Sequence, residues 1–89
     1  MNSSNDSKSS EQDKIENLGK IVREVLNLDG SFDLNTLSAK DHPSWDSLRH
    51  VELCLRIQNE FQIKIDGTDL VQMRTYADIE RVVRARLKA

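Results

Sequence analysis

Apolar residues recur along this chain in three helical stretches separated by stretches with no sustained period. From about Glu11 to Leu28, Ile15, Leu18, Val22, Val25 and Leu26 follow one another at steps of three and four. That spacing draws one apolar stripe on an amphipathic helix. Ser10, with Asp13 three residues later, marks its expected start. Gly19 interrupts the stripe, where it weakens the helix but lets another backbone approach closely. Residues 29–46, DGSFDLNTLSAKDHPSWD, have no sustained period. A connection this long in a small domain is usually functional or carries a short helical turn. Phe32, Leu34 and Leu37 are expected to anchor it to the core, and Pro43 disfavours helix at His42.

The second helical segment, Ser47 to about Phe61, carries two stripes. Leu53, Cys54, Ile57 and Phe61 form one, and Leu48, Val51 and Leu55 form the other. At about 100° per residue, positions 51 and 53 point in nearly opposite directions. A helix apolar on both sides is either sandwiched or keeps one side for a partner. The reading favours the first stripe inward and the second outward. Residues 63–66, IKID, alternate as a strand would, but no partner strand is visible. A turn at Gly67 and a single helical turn over Asp69 to Met73 follow. Thr75 and Asp78 have capping-box spacing. Ile79, Val82, Val83 and Leu87 then give the stripe of a last helix, whose Arg81, Arg84, Arg86 and Lys88 suit the negative end of its dipole. The prediction is all-α: a small antiparallel four-helix bundle with a long first loop and a short third helix.

Composition narrows the class. At 89 residues the chain is one domain. Residues 1–10, MNSSNDSKSS, cannot bury anything and are expected to form a disordered tail before a domain over 11–89. A single cysteine, Cys54, excludes an internal disulfide and any Cys-based metal site. His42 and His50 are too few and too far apart for zinc, so no metal is expected. No signal peptide is visible at the start, and with one free cysteine this points to a reducing, cytosolic setting. No apolar run can span a bilayer. A net charge of -2 and 4% aromatics argue against a nucleic-acid binder.

The chemistry concentrates at Ser47, which opens a helix after an irregular loop. Unpaired backbone N–H groups and the helix dipole favour an anion there, such as a phosphate ester. The simpler reading is that Ser47 or Asp46 is an N-cap. Ser47, His50 and Asp46 are the residue types of a hydrolytic triad. They lie within one helical turn, however, and lack the G-x-S-x-G elbow. No catalytic residue is assigned. His50 is read as solvated or as a partner contact, and Cys54 as a small core residue.

The ordered set Asp46-Ser47-Leu48, Val51-Glu52-Leu53, Glu60-Phe61 and Ile63-Lys64-Ile65 resembles the acyl carrier protein family across most of the chain. The resemblance implies a domain that is not an enzyme. In that family the serine of D-S-L receives 4'-phosphopantetheine from coenzyme A. This would make Ser47 the attachment residue and Asp46 and Leu48 its motif. The arm would hold an acyl or aminoacyl group as a thioester. The partners implied are a phosphopantetheinyl transferase and acyl-loading, acyl-transfer or condensing enzymes, meeting Leu48, Arg49, Val51, Glu52, Leu55 and Arg56. One departure stands out. Fatty-acid carriers have a very acidic second helix, whereas here Arg49 and Arg56 balance Glu52 and Glu60. With Trp45 before D-S-L, this resembles a specialised stand-alone carrier of a lipid or polyketide-type pathway. No heptad seam is present, so a monomer is expected. An unmodified helical adaptor of the same fold is the alternative.

Overall fold

The computed structural model describes the backbone of residues 3–88 and the side chains from Gln12 to Lys88. It contains α1 (Ser3–Leu26), α2 (Ser47–Phe61), α3 (Gly67–Gln72) and α4 (Tyr76–Lys88), with one 3-10 turn, Leu34–Thr36, inside the first loop. No strand forms among the described residues. The all-α bundle with a short third helix is as the sequence predicts.

The first helix starts earlier than expected. α1 begins at Ser3, so its backbone runs through Ser10 and through most of the span 1–10 read as a disordered tail. Residues 1–2 and the side chains before Gln12 lie outside the described residues. Ser, Asn and Asp are only weak helix formers. Neither Pro nor Gly precedes Gly19, however, and propagating a formed helix is far easier than nucleating one. At the other end Asn27 turns left-handed (φ 55°). Leu28 N–H then reaches back to the Arg23 carbonyl at 2.8 Å, closing the helix as a C-terminal cap does.

α1 and α2 run antiparallel. The early Asn17 of α1 donates to Glu60 near the end of α2. The late Glu24 of α1 pairs with Arg56 at 2.8 Å, and Val25 receives Arg49 from the start of α2. Between them lie Leu18, Val22, Leu53 and Ile57, all fully buried. From α4, Ile79 and Val83 complete this core. Gly19 serves close approach, though to side chains rather than backbone. A Cβ there would stand 3.3 Å from Leu34 Cδ1 and 3.6 Å from the Tyr76 hydroxyl.

The long loop is tied down along its length. Arg23 Nη1 donates to the carbonyls of Asp29 and Phe32. Leu37 is buried, and Phe32 and Leu34 pack against the core as predicted. Ser38 and Thr75 form an isolated antiparallel bridge, with Ala39 N–H on the Arg74 carbonyl at 2.8 Å. The loop is thereby fixed to the junction between α3 and α4. The alternation in residues 63–66 is real without being a strand. Ile65 is buried and Ile63 partly so, while Lys64 and Asp66 face water. The Ile65 N–H is satisfied by Gln58 Oε1 at 2.8 Å instead of a neighbouring strand.

Candidate functional site

Asp46 and Ser47 divide the two roles that the sequence left open between them. Asp46 is the N-cap of α2: its backbone is extended and its carboxylate accepts the Arg49 N–H at 2.9 Å. Ser47 is the first helical residue. Its side chain is exposed, and its hydroxyl makes no hydrogen bond among the described residues. An uncommitted hydroxyl, in water at the positive end of a 15-residue helix, is reachable by a reagent and electrostatically suited to a phosphate ester.

The two stripes of α2 separate as predicted. Leu53, Cys54, Ile57 and Phe61 are buried. Leu48, Val51 and Leu55 are 76%, 47% and 59% exposed, joined by Val71 of α3 at 66%. The charged members of the expected partner face behave unequally. Glu52 is exposed with no partner among the described residues. Arg49 is half-buried and donates to the Val25 carbonyl at 2.6 Å, while Arg56 is held by Glu24. Both arginines therefore serve the α1–α2 contact, leaving the outward face of α2 apolar with an acidic fringe.

A cavity of about 480 Å³ opens beside Ser47. Trp45, Asp46, Ser47 and His50 line it from α2 and its approach. Leu70, Val71, Met73 and Arg74 line it from α3 and the turn after it, with Ala39 from the loop. This α3 wall was not legible in the sequence, because α3 meets the start of α2 only through tertiary packing. The role of His50 was also missed: it is neither freely solvated nor turned toward a partner. The Trp45 indole Nε1–H donates to His50 Nδ1 at 3.0 Å, and His50 Nε2 lies 2.8 Å from the Leu70 carbonyl. An indole can only donate, so Nδ1 is the acceptor and the ring hydrogen sits on Nε2, donating to Leu70. His50 thus caps the C-terminal end of α3 and pins it to α2, excluding the triad role. On its far side α3 is held by Arg86 of α4, which binds the buried Asp69 through Nε at 2.9 Å and through Nη2.

Burial pushes the Cys54 thiol up to about 11, so at neutral pH it is a protonated core side chain and not a nucleophile. Its sulfur is on the inward stripe, as the sequence predicts. Tyr76 is likewise raised, first by burial and then by the charge of Glu80. Asp66 caps α3, and the hydrogen bond from the Asp69 backbone lowers its carboxyl below the usual range. Among the described residues no group of His, Cys, Asp or Glu could hold a metal ion. Nor, among the described residues, is any helix long and apolar enough to cross a membrane.

Comparison with known proteins agrees with this geometry. The chain is 32% identical over 69 residues to an acyl carrier protein of Rhodococcus erythropolis, covering 78% of this chain and 76% of that one. It is 31% identical over 70 residues to a meromycolate extension acyl carrier protein of Mycolicibacterium aurum, covering 79% and 72%. Among solved structures it matches the solution NMR structure of holo acyl carrier protein from Geobacter metallireducens, with TM-score 0.72 and 27% identity over 84% of this chain and 86% of that one. No family model matches the chain. Bundle, exposed helix-start serine and relatives together define a small helical carrier domain, not an enzyme. The chain belongs to the acyl carrier protein family.

Proposed function

We propose that Ser47 bears 4'-phosphopantetheine, transferred from coenzyme A by a phosphopantetheinyl transferase, and that the protein presents an acyl group to biosynthetic enzymes. The observation that carries this reading is the exposed, unbonded hydroxyl of Ser47 on the first turn of α2. The residues around it fit such a group: the serine faces water, and the adjoining cavity of about 480 Å³ leaves room on the α3 side. When attached, the arm supplies a terminal thiol on which the acyl group is held as a thioester. The chain's own residues do the rest. Asp46 fixes where the helix begins and so holds Ser47 outward. Leu48, Val51, Leu55 and Val71 give partner enzymes an apolar surface beside the attachment point, and Glu52 adds a single free acid. Contact on such a face is small and transient, as a carrier that must leave its partners requires.

A specialised lipid or polyketide-type pathway is the setting we favour. The charge-poor outward face of α2 gives little steering toward a basic enzyme. A relative named for meromycolate extension shares 31% of aligned positions.

The test is direct. Apo protein is incubated with coenzyme A, magnesium and a broad-specificity phosphopantetheinyl transferase, and its intact mass is measured. The expected result is gain of one arm, abolished in Ser47→Ala. No gain with several transferases would overturn the reading in favour of an unmodified adaptor.

A further inference from the structure

Among the residues that line the cavity beside Ser47 is an arginine with no assigned role. Among the described residues, Arg74 is the one arginine whose guanidinium has no partner. Arg23 and Arg49 bind backbone carbonyls. Arg56, Arg81, Arg84 and Arg86 are ion-paired. The Arg74 backbone, by contrast, is firmly held. Its carbonyl accepts Ala39 N–H at 2.8 Å, and its N–H donates to Gln72 O at 3.0 Å and to Asp78 Oδ2 at 3.3 Å. Arg74, with a fixed backbone and an exposed, uncommitted guanidinium, is thus one of the residues lining the cavity that Ser47 borders.

We infer that Arg74 is an anion-binding residue of the modified protein: its guanidinium receives the phosphodiester that joins the arm to Ser47. The inference rests on the attachment proposed above. Three features of the cavity favour a phosphate at this end. Trp45 and Met73 of the lining are buried and apolar, whereas Ser47 and Arg74 are exposed and polar, so an anion is better placed beside these two. The one acid in the lining, Asp46, already accepts the Arg49 N–H and has not captured Arg74. The planar fork of an arginine matches two phosphate oxygens at once, which a lysine cannot reproduce. The other anion that could reach Arg74 is a carboxylate at the end of the carried acyl group, which the experiment separates from the phosphodiester.

Apo and holo forms are prepared enzymatically and their masses checked. The Arg74 Nε–Hε resonance, identified by its absence in Arg74→Gln, is then followed by 15N NMR, and thermal midpoints are recorded at low and high salt. The expected result is a shift of that resonance on attachment, with an unloaded thiol. The holo form should melt higher than the apo form by about 2–4 °C at low salt, as an exposed ion pair would give in a domain of this size. The gap should shrink at high salt, vanish in Arg74→Gln and survive in part in Arg74→Lys. A protein shown by mass to carry the arm, with an unmoved Arg74 resonance and the same gap in Arg74→Gln, overturns the inference while leaving attachment intact. A resonance that moves only after loading an acyl group with a free carboxylate overturns it in favour of cargo recognition. Absence of any mass gain removes the attachment reading, and this inference with it.

Discussion

Asp78 shows how much one side chain does at a helix start. Its carboxylate accepts the N–H groups of Thr75 at 3.2 Å and Arg74 at 3.3 Å, while the Thr75 hydroxyl accepts Asp78 N–H in return at 3.1 Å. Arg81 adds an ion pair one turn on. Partial burial pushes this carboxyl upward, but the hydrogen bonds from Thr75 and Arg74 and the Arg81 guanidinium outweigh it, and the net shift is downward. A carboxyl lowered in the folded state contributes stability above its unfolded value, which is lost as pH falls through the folded one. Asp78→Asn should therefore cost about 1 kcal/mol at neutral pH, and progressively less at an acid pH as the wild-type carboxyl becomes protonated. Urea unfolding at the two pH values checks this. A gap of equal size at both would mean that the charge plays no part.

At the scale of elements, α3 is the piece most dependent on polar clamps. It has six residues, too few to be stable as a helix alone. Its own capping box, Asp66 with Asp69, organises its start. Arg86 holds it from α4, and His50 holds its end from α2. Removing the imidazole in His50→Ala strands both the Trp45 N–H and the Leu70 carbonyl. A loss of about 1–3 kcal/mol is expected. Amide exchange in 67–73 should quicken more than in α1 or the inward face of α2, since the clamp is local. Exchange that rises evenly over the whole chain would show instead that His50 supports the bundle at large.

At the scale of the whole molecule, the distribution of charge decides how partners are met. Arg49 and Arg56 lie on the helix that carries Ser47, yet α1 absorbs both, through Val25 and Glu24. What remains outward on α2 is an apolar patch of Leu48, Val51 and Leu55, with Val71 also exposed on α3. Transfer to a partner enzyme should then depend on that patch and little on ionic strength. Val51→Asp is expected to lower the rate of acyl transfer about tenfold with an unchanged melting temperature, because the residue is half-exposed and central to the patch. Wild-type transfer should change less than about twofold between low and high salt. A steep fall in wild-type transfer with salt would sink this picture and point to an electrostatic interface.

The sequence by itself determined the helices, because the period of apolar positions fixes which face can leave water. The inward and outward stripes of α2 and the Thr75–Asp78 cap all follow from spacing within one or two turns. So does an exposed serine at a helix start, once Asp46 rather than Ser47 takes the cap. The true start of α1 was not legible, since propagation into a polar stretch leaves no apolar mark. Nor was the fate of residues 63–66, whose alternation serves an extended connection as well as a strand. The tertiary structure alone decided that Arg49 and Arg56 turn toward α1, that His50 joins Trp45 to the end of α3, and that Arg74 and Ser47 line one cavity. Each of these joins residues distant in the chain, and local pattern carries no information about which polar group a folded backbone will bring within 3 Å of another.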